Sequence, residues 1–358
     1  MKHPILTPDD AQLNELCRRL SDLVGPLDVS DQWPAEQLRL CGESGVYRWF
    51  MPAEWGGQAW SDVDVLRGYL KLSAACLTTT FILTQRTGAC QRIALSENDV
   101  AKALWLPGLT SGELFGTVGI SHLTTSRRFL AKPVLRAEET SEGFVLDGYS
   151  PWVTGGAHAD VIVTGATLDD GRQVLVALPT DLDGVDVPTP PRLVGLSASH
   201  TGEVRCNRVE IARECVLAGP VENVMQHGKG AGTGGLQTST LAIGLTHAAV
   251  AYLEDESQRR PEFREAATSL RHEHAQLESD LLALAVGSAV CSNEDLRTRA
   301  NSLVLRSTQS ALAAAKGTGY VVGHPAGRWC REALFFLVWS CPQPVIAANL
   351  CELASLGE

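Results

Sequence analysis

A tryptophan with a threonine two positions on, Trp152 and Thr154, offers a flat apolar wall and a hydroxyl or backbone donor beside it. A strand tryptophan next to a satisfied threonine would look the same. Arg127 and Arg128 form a basic pair that could meet an anionic substrate; a solvated basic turn is the plainer alternative. His122 brings an imidazole whose ordinary pKa lies near neutrality, as proton transfer requires, although a lone loop histidine is more often a surface or hydrogen-bonded residue. Ser340 stands in a stretch with no Asp or Glu between Ala333 and Ala348. Its unassisted hydroxyl barely ionises near neutral pH and makes a poor base. The 10 cysteines form no C-x-x-C pair and no His/Cys cluster at metal-ligand spacing, so reduced thiols in a cytoplasmic protein are expected.

The elements that must position these residues follow from composition and pattern. With 358 residues, 44% hydrophobic and 20% charged, the chain suits two or three packed regions. A net charge of −11 without a basic block argues against nucleic acid as a partner. The start, MKHPILTPDDAQLNEL, has no apolar core of a signal peptide, and the apolar run Leu281 to Val290 is too short to span a membrane. A soluble, cytoplasmic protein acting on a small molecule is expected.

Residues 1–113 read as helical. Leu13, Leu16, Cys17 and Leu20 recur at helical spacing after Pro8-Asp9-Asp10, and Trp33 to Trp49 looks similar. Helical runs cover Asp62 to Ala75 and Leu77 to Leu95, and Ser96-Glu97-Asn98-Asp99 starts a short helix ending before Pro107. Residues 114–219 turn to β: Lys132 to Glu138, Gly143 to Asp147, Val161 to Ala166, Val174 to Leu178 and the alternating Glu203 to Ile211. A compact antiparallel barrel or sandwich is expected there. After the Gly-rich joint Gly228 to Gly235, residues 220–358 return to helix. Four long segments, Leu236 to Leu253, Pro261 to Val290, Glu294 to Lys316 and Arg331 to Leu356, suggest a four-helix bundle. The fold class is α+β, in the order helices, sheet, helices.

That order resembles the acyl-CoA dehydrogenase family, and local motifs support the likeness along nearly the whole chain. They are Pro52-Ala53-Glu54-Trp55-Gly56-Gly57, Leu109 to Glu113, Trp152-Val153-Thr154 with Gly155, Ala159 and Asp160, Gly195 to Glu203, and Gly319-Tyr320 with Pro325, Arg328 and Arg331-Glu332-Ala333. The resemblance implies FAD as cofactor, an acyl-CoA or acyl-carrier thioester as the substrate class, and a homodimer or homotetramer. It places Trp152 against the isoalloxazine ring and Thr154 near N5. The loop Val118 to His122 matches the family's partner loop, with Ser121 keeping a hydroxyl for the flavin's pyrimidine edge and His122 replacing a Glu. Arg127 and Arg128 replace part of the loop that lines the thioester path. Arg260 stands in for an R-x-x-F-G element and Lys316 falls where a Q-x-x-G-G element has glycine; in the family both elements reach FAD from a neighbouring subunit.

The family's reaction removes an α-proton with a carboxylate while hydride leaves for the flavin. Counting from Arg331-Glu332-Ala333 puts Ser340 at the usual position of that Glu, and the alternative position falls on Gly234-Gly235. Both lack a carboxylate. Three readings follow: an oxidoreductase of this type using another residue such as His122, a flavin monooxygenase or oxidase that needs no such base, or a lapsed homologue serving as a scaffold.

Overall fold

The computed structural model describes residues 4–124, 132–227 and 235–356. Arg127 and Arg128 lie outside these, as does Gly234.

Five helices come first. Helix α1 (Ala11–Ser30) buries the stripe Leu13, Leu16, Leu20, Val24 and Leu27, which its three- and four-residue spacing lines up on one face. After α2 (Ala35–Glu43), helix α3 (Asp62–Ala75) starts at Ser61, whose side chain accepts from the Asp64 amide. Helix α4 (Leu77–Leu95) is buried almost all round, Arg86 and Arg92 included. Helix α5 (Asp99–Ser111) runs through Pro107 and does not stop before it, ending instead at left-handed Gly112. Its N-cap Asn98 accepts from the Ala101 amide and donates Nδ2 to the carbonyls of Glu214 and Val216, tying helix to sheet.

Among the described residues the sheet has eight strands: β1 (Gly116–Gly119), then, after the short helix α6 (Ser121–Thr124), β2 (Leu135–Glu139), β3 (Gly143–Thr154), β4 (Val161–Thr167), β5 (Gln173–Pro179), β6 (Val185–Asp186), β7 (Thr201–Ala212) and β8 (Val216–Val221). The order is β6-β7-β3-β2-β4-β5-β8, with β1 added beside β4. The expectation of a purely antiparallel domain needs correcting, since β1 and β2 both pair parallel to β4. Strand β4 is buried from Val161 to Ala166, as a strand covered on both faces must be. Strand β8 also continues past residue 219, the expected end of the β region.

Helices α7 (Gln237–Arg259), α8 (Arg264–Ala285) and α9 (Asn293–Gly319) form the main part of the bundle. The fourth segment is not one helix. It divides into α10 (Pro325–Ala333), α11 (Phe335–Val338) and α12 (Gln343–Leu353). The break follows from Trp339 in extended backbone, Ser340 at φ 43° and Pro342, which removes an amide where the helix would continue. No described helix is long and apolar enough to cross a membrane.

Candidate active site at the junction of three regions

Ser121 reaches its place because the end of β1 is pinned. The Gly119 carbonyl accepts from Ser150 Oγ at 3.1 Å and from Thr164 Oγ1 at 2.6 Å. A Cβ at residue 119 would stand 2.7 Å from Ser150 Oγ, so any other residue would push the Ser150 and Val153 side chains aside. The chain then turns into α6 and presents Ser121, whose Oγ is buried and has no hydrogen-bond partner among the described residues. Such an atom is costly unless a ligand satisfies it.

Trp152 arrives from β3 by a different device. The β3–β7 register shifts between Ser150 and Val153, leaving an extra residue on β3 around Pro151, which cannot donate to the ladder. Val153 packs into the sheet core, while Trp152 stays 39% exposed. That exposure matters, because a large ring left open beside a cavity is a surface for something flat. Thr154 is buried, and its Oγ1 lies 3.0 Å from Thr201 Oγ1, which is 2.8 Å from Ser199 Oγ.

The bundle supplies the third side. Arg297 donates Nη2 to the Trp339 carbonyl at 2.9 Å, and Asn301 donates Nδ2 to the Phe336 carbonyl at 2.9 Å. Arg297 Nε also donates to Asn301 Oδ1. The pair on α9 thereby holds the turn that carries Ser340. Phe81, Phe335 and Trp339 pack with ring centroids 4.8 to 5.4 Å apart behind it.

Two cavities meet at this point. One, of about 620 Å³, lies against α4 and the start of α7 and is lined by Thr84, Gln85, Gln91, Arg92, Val118 and Gln237 among others. The other, of about 400 Å³, is walled by the aromatic group, Leu196, Leu334 and Val338, with Ser199 and Thr201 at its floor. Ser121, Trp152, Trp339 and Ser340 line both. The structure therefore brings together Val118, Ser121, Trp152 and Ser340, with Thr154 one hydroxyl behind. Gly235 also lines the larger cavity.

Three other expected residues stand elsewhere. His122 lines neither cavity. It is buried, its Nε2 is 2.7 Å from the Gly165 carbonyl, and burial pushes its imidazole below its ordinary pKa despite that bond. An acid/base role at the cavity junction is set aside on that ground. Arg260 is held within the bundle: it pairs with Glu256, donates to the Ala314 carbonyl at 2.7 Å and stacks over Phe263 at 4.5 Å. Lys316 is exposed near the same corner, at a kink in α9 with φ 55° and ψ −147°. Neither lines a cavity described above.

Among the described residues no carboxylate stands at the junction. Of the described residues lining the two cavities the acidic one is Asp62, which is exposed at the start of α3. Glu332 is buried beside Arg328, and Glu352 accepts from Ser302 on the bundle surface. Sequence reading passed over Arg92, Phe81 and Phe335. An arginine inside the otherwise buried run Leu77–Leu95 was the one available signal for the first.

Among known proteins, residues 13–113 match the family described as acyl-CoA dehydrogenase, N-terminal domain. A probable acyl-CoA dehydrogenase of Bacillus subtilis is 23% identical over 329 residues, covering 86% of each chain. A glutaryl-CoA dehydrogenase from Mycobacterium smegmatis, solved in complex with FADH2, superimposes with a TM-score of 0.79 at 17% identity, covering 97% of this chain and 96% of that one. Dibenzothiophene monooxygenase from Paenibacillus sp. A11-2 superimposes with a TM-score of 0.77 at 15% identity, covering 94% of each. With helices, mixed sheet and helical bundle in the same order, the chain has the fold of these proteins and is similar in sequence to acyl-CoA dehydrogenases along most of its length.

Proposed function

We propose that the chain is an FAD-dependent oxidoreductase of acyl-CoA dehydrogenase type, acting on an acyl thioester or related small molecule without a carboxylate base. The observation that carries this reading is the junction itself, where an unpartnered Ser121 hydroxyl and the open face of Trp152 border both cavities. These residues fit the ring end of a flavin: Trp152 as wall, Ser121 as donor to the pyrimidine edge, and Val118 and Thr154 as the surrounding strand ends. When bound, FAD supplies a two-electron acceptor. The protein's part is to hold the reacting group over the ring, exclude water with the Phe81–Phe335–Trp339 wall, and position it from α4.

Arg260 and Lys316 do not reach the junction in their own chain. Their role toward the FAD pyrophosphate then belongs to a neighbouring copy, and exposed Tyr320, Val322, Val338, Leu350 and Leu353 provide apolar surface for that association. A homodimer is the smallest assembly that supplies it.

A second reading is favoured by the absence of a carboxylate at the junction. A flavin monooxygenase or oxidase needs no α-proton abstraction, and a monooxygenase shares this fold. Absorbance of the natively purified protein decides the first point. Flavin bands, with FAD released on denaturation, are expected, and Trp152→Ala should lower flavin occupancy with little loss of stability. A colourless protein with no FAD affinity at high micromolar cofactor refutes both readings. Rapid oxygen consumption by the photoreduced protein without thioester selects the monooxygenase or oxidase, whereas bleaching by an acyl-CoA selects the dehydrogenase.

A further inference from the structure

Arg92 is a buried cation without an anion. It is 8% exposed, forms no ion pair among the described residues, and lines the larger cavity. Its Nη1 donates to the Gly88 carbonyl at 2.8 Å, one helical turn back. Its Nε is buried with no partner among the described residues. Burial alone lowers its pKa, to about 10, with no acidic neighbour acting against that; the guanidinium is still charged at neutral pH. A charge taken out of water needs a partner of opposite sign or a full set of hydrogen bonds, and this one has a single bond to its own helix.

The cavity around it supplies polar but uncharged neighbours: Thr84, Gln85, Gln91 and Gln237. Asp62, the acidic residue of the lining, is exposed and makes no ion pair with Arg92. We propose that Arg92 is a specificity-determining residue that selects a substrate bearing a carboxylate, whose charge it pairs inside the larger cavity. The assignment rests on the reading of that cavity as the substrate's place. It commits to a carboxylate over a phosphate because a phosphate dianion calls for more than one cation, and Arg92 is the single cation among the described residues of the lining. Guanidinium and carboxylate also match in planarity and donor–acceptor count.

Butyrate and butyramide are the probes, being alike in size and different in charge. Each is titrated into the protein as purified, by calorimetry and, where flavin is present, by flavin difference spectra. Butyrate should bind at least about tenfold more tightly than butyramide. The preference should fall to within about twofold in Arg92→Met and survive largely in Arg92→Lys. Removing an uncompensated buried charge should also leave the free Met variant as stable as the parent or more so. Should that variant fail to fold, Arg92→Gln, which keeps a donor for the Gly88 carbonyl, takes its place with the same expected loss. Equal affinity for the two probes in the parent, or an undiminished preference in the neutral variant, overturns the proposal. So does inorganic phosphate displacing butyrate at lower concentration than butyrate itself requires. Calorimetry needs no flavin, so a protein purified colourless refutes the flavin reading while the butyrate preference still decides the role of Arg92.

Discussion

Glu332, eight residues before Ser340, can be tested as a structural group. It is 3% exposed, and burial raises its carboxyl from 4.5 to about 7. Arg328, with Nε 3.7 Å from Oε1, and Arg331 pull the value down, while Asp28 pushes it up. The folded protein thus keeps this proton to higher pH than the unfolded chain does. Its contribution to stability is complete below the unfolded value of 4.5 and is lost as pH rises through about 7. At about 1.36 kcal/mol per pKa unit the loss amounts to about 3 kcal/mol by about pH 8. Glu332→Gln keeps the shape of the protonated side chain and removes the titration. Urea denaturation of parent and variant across this range should give stabilities that converge below about pH 4.5, separate between there and about pH 7 and stay apart above it, the variant gaining about 3 kcal/mol. Flavin content should not change, because Glu332 lines neither cavity at the junction. Parallel pH profiles, or a variant less stable at alkaline pH, would refute the reasoning by showing that the ionised pair with Arg328 is net favourable.

Two further outcomes can be measured directly. Lys316 holds a backbone conformation nearly confined to glycine, which costs about 1–3 kcal/mol. Lys316→Gly should recover that less about 0.5–1 kcal/mol of glycine's extra chain entropy, raising stability by about 1 kcal/mol in denaturant titration; an unchanged or lower midpoint counts against the strain. Ser340→Glu places a carboxylate where both cavities meet, and short-chain acyl-CoA should then bleach the flavin in the variant and leave the parent unbleached. No bleaching in the flavin-loaded variant would show that more than the base is altered.

Local signals carried much of the fold. Helices α3 and α4 begin and end at the bounds expected of the two helical runs, Asp62–Ala75 and Leu77–Leu95. Strand β3 was legible only to Asp147, because Gly148 and Pro151 read as breaks; the register shifts there absorb both, and the strand runs on to Thr154. The parallel pairing of β1 with β4 joins residues some 45 positions apart, which no local pattern encodes. At the site, Trp152, Ser121 and Ser340 could be proposed because motif order placed them. His122 could not be judged, since its fate depends on the distant Gly165 carbonyl. Arg92 was hidden for a related reason: a helix buried on nearly every face gives no periodic sign of which face meets a cavity.

The turn that carries Ser340 takes its donors from far earlier in the chain. Asn301 and Arg297 lie 35 and 42 positions before the carbonyls they hold. Bringing groups so far apart in sequence together costs loop-closure entropy, which the packed α9 offsets by presenting both donors from one rigid helix. The junction of the two cavities therefore depends on α9 as much as on the segment that lines it. The sheet with its Trp152 supplies only part of the wall, and the cleft has its remaining side only where α9 holds the Phe335–Ser340 segment against it.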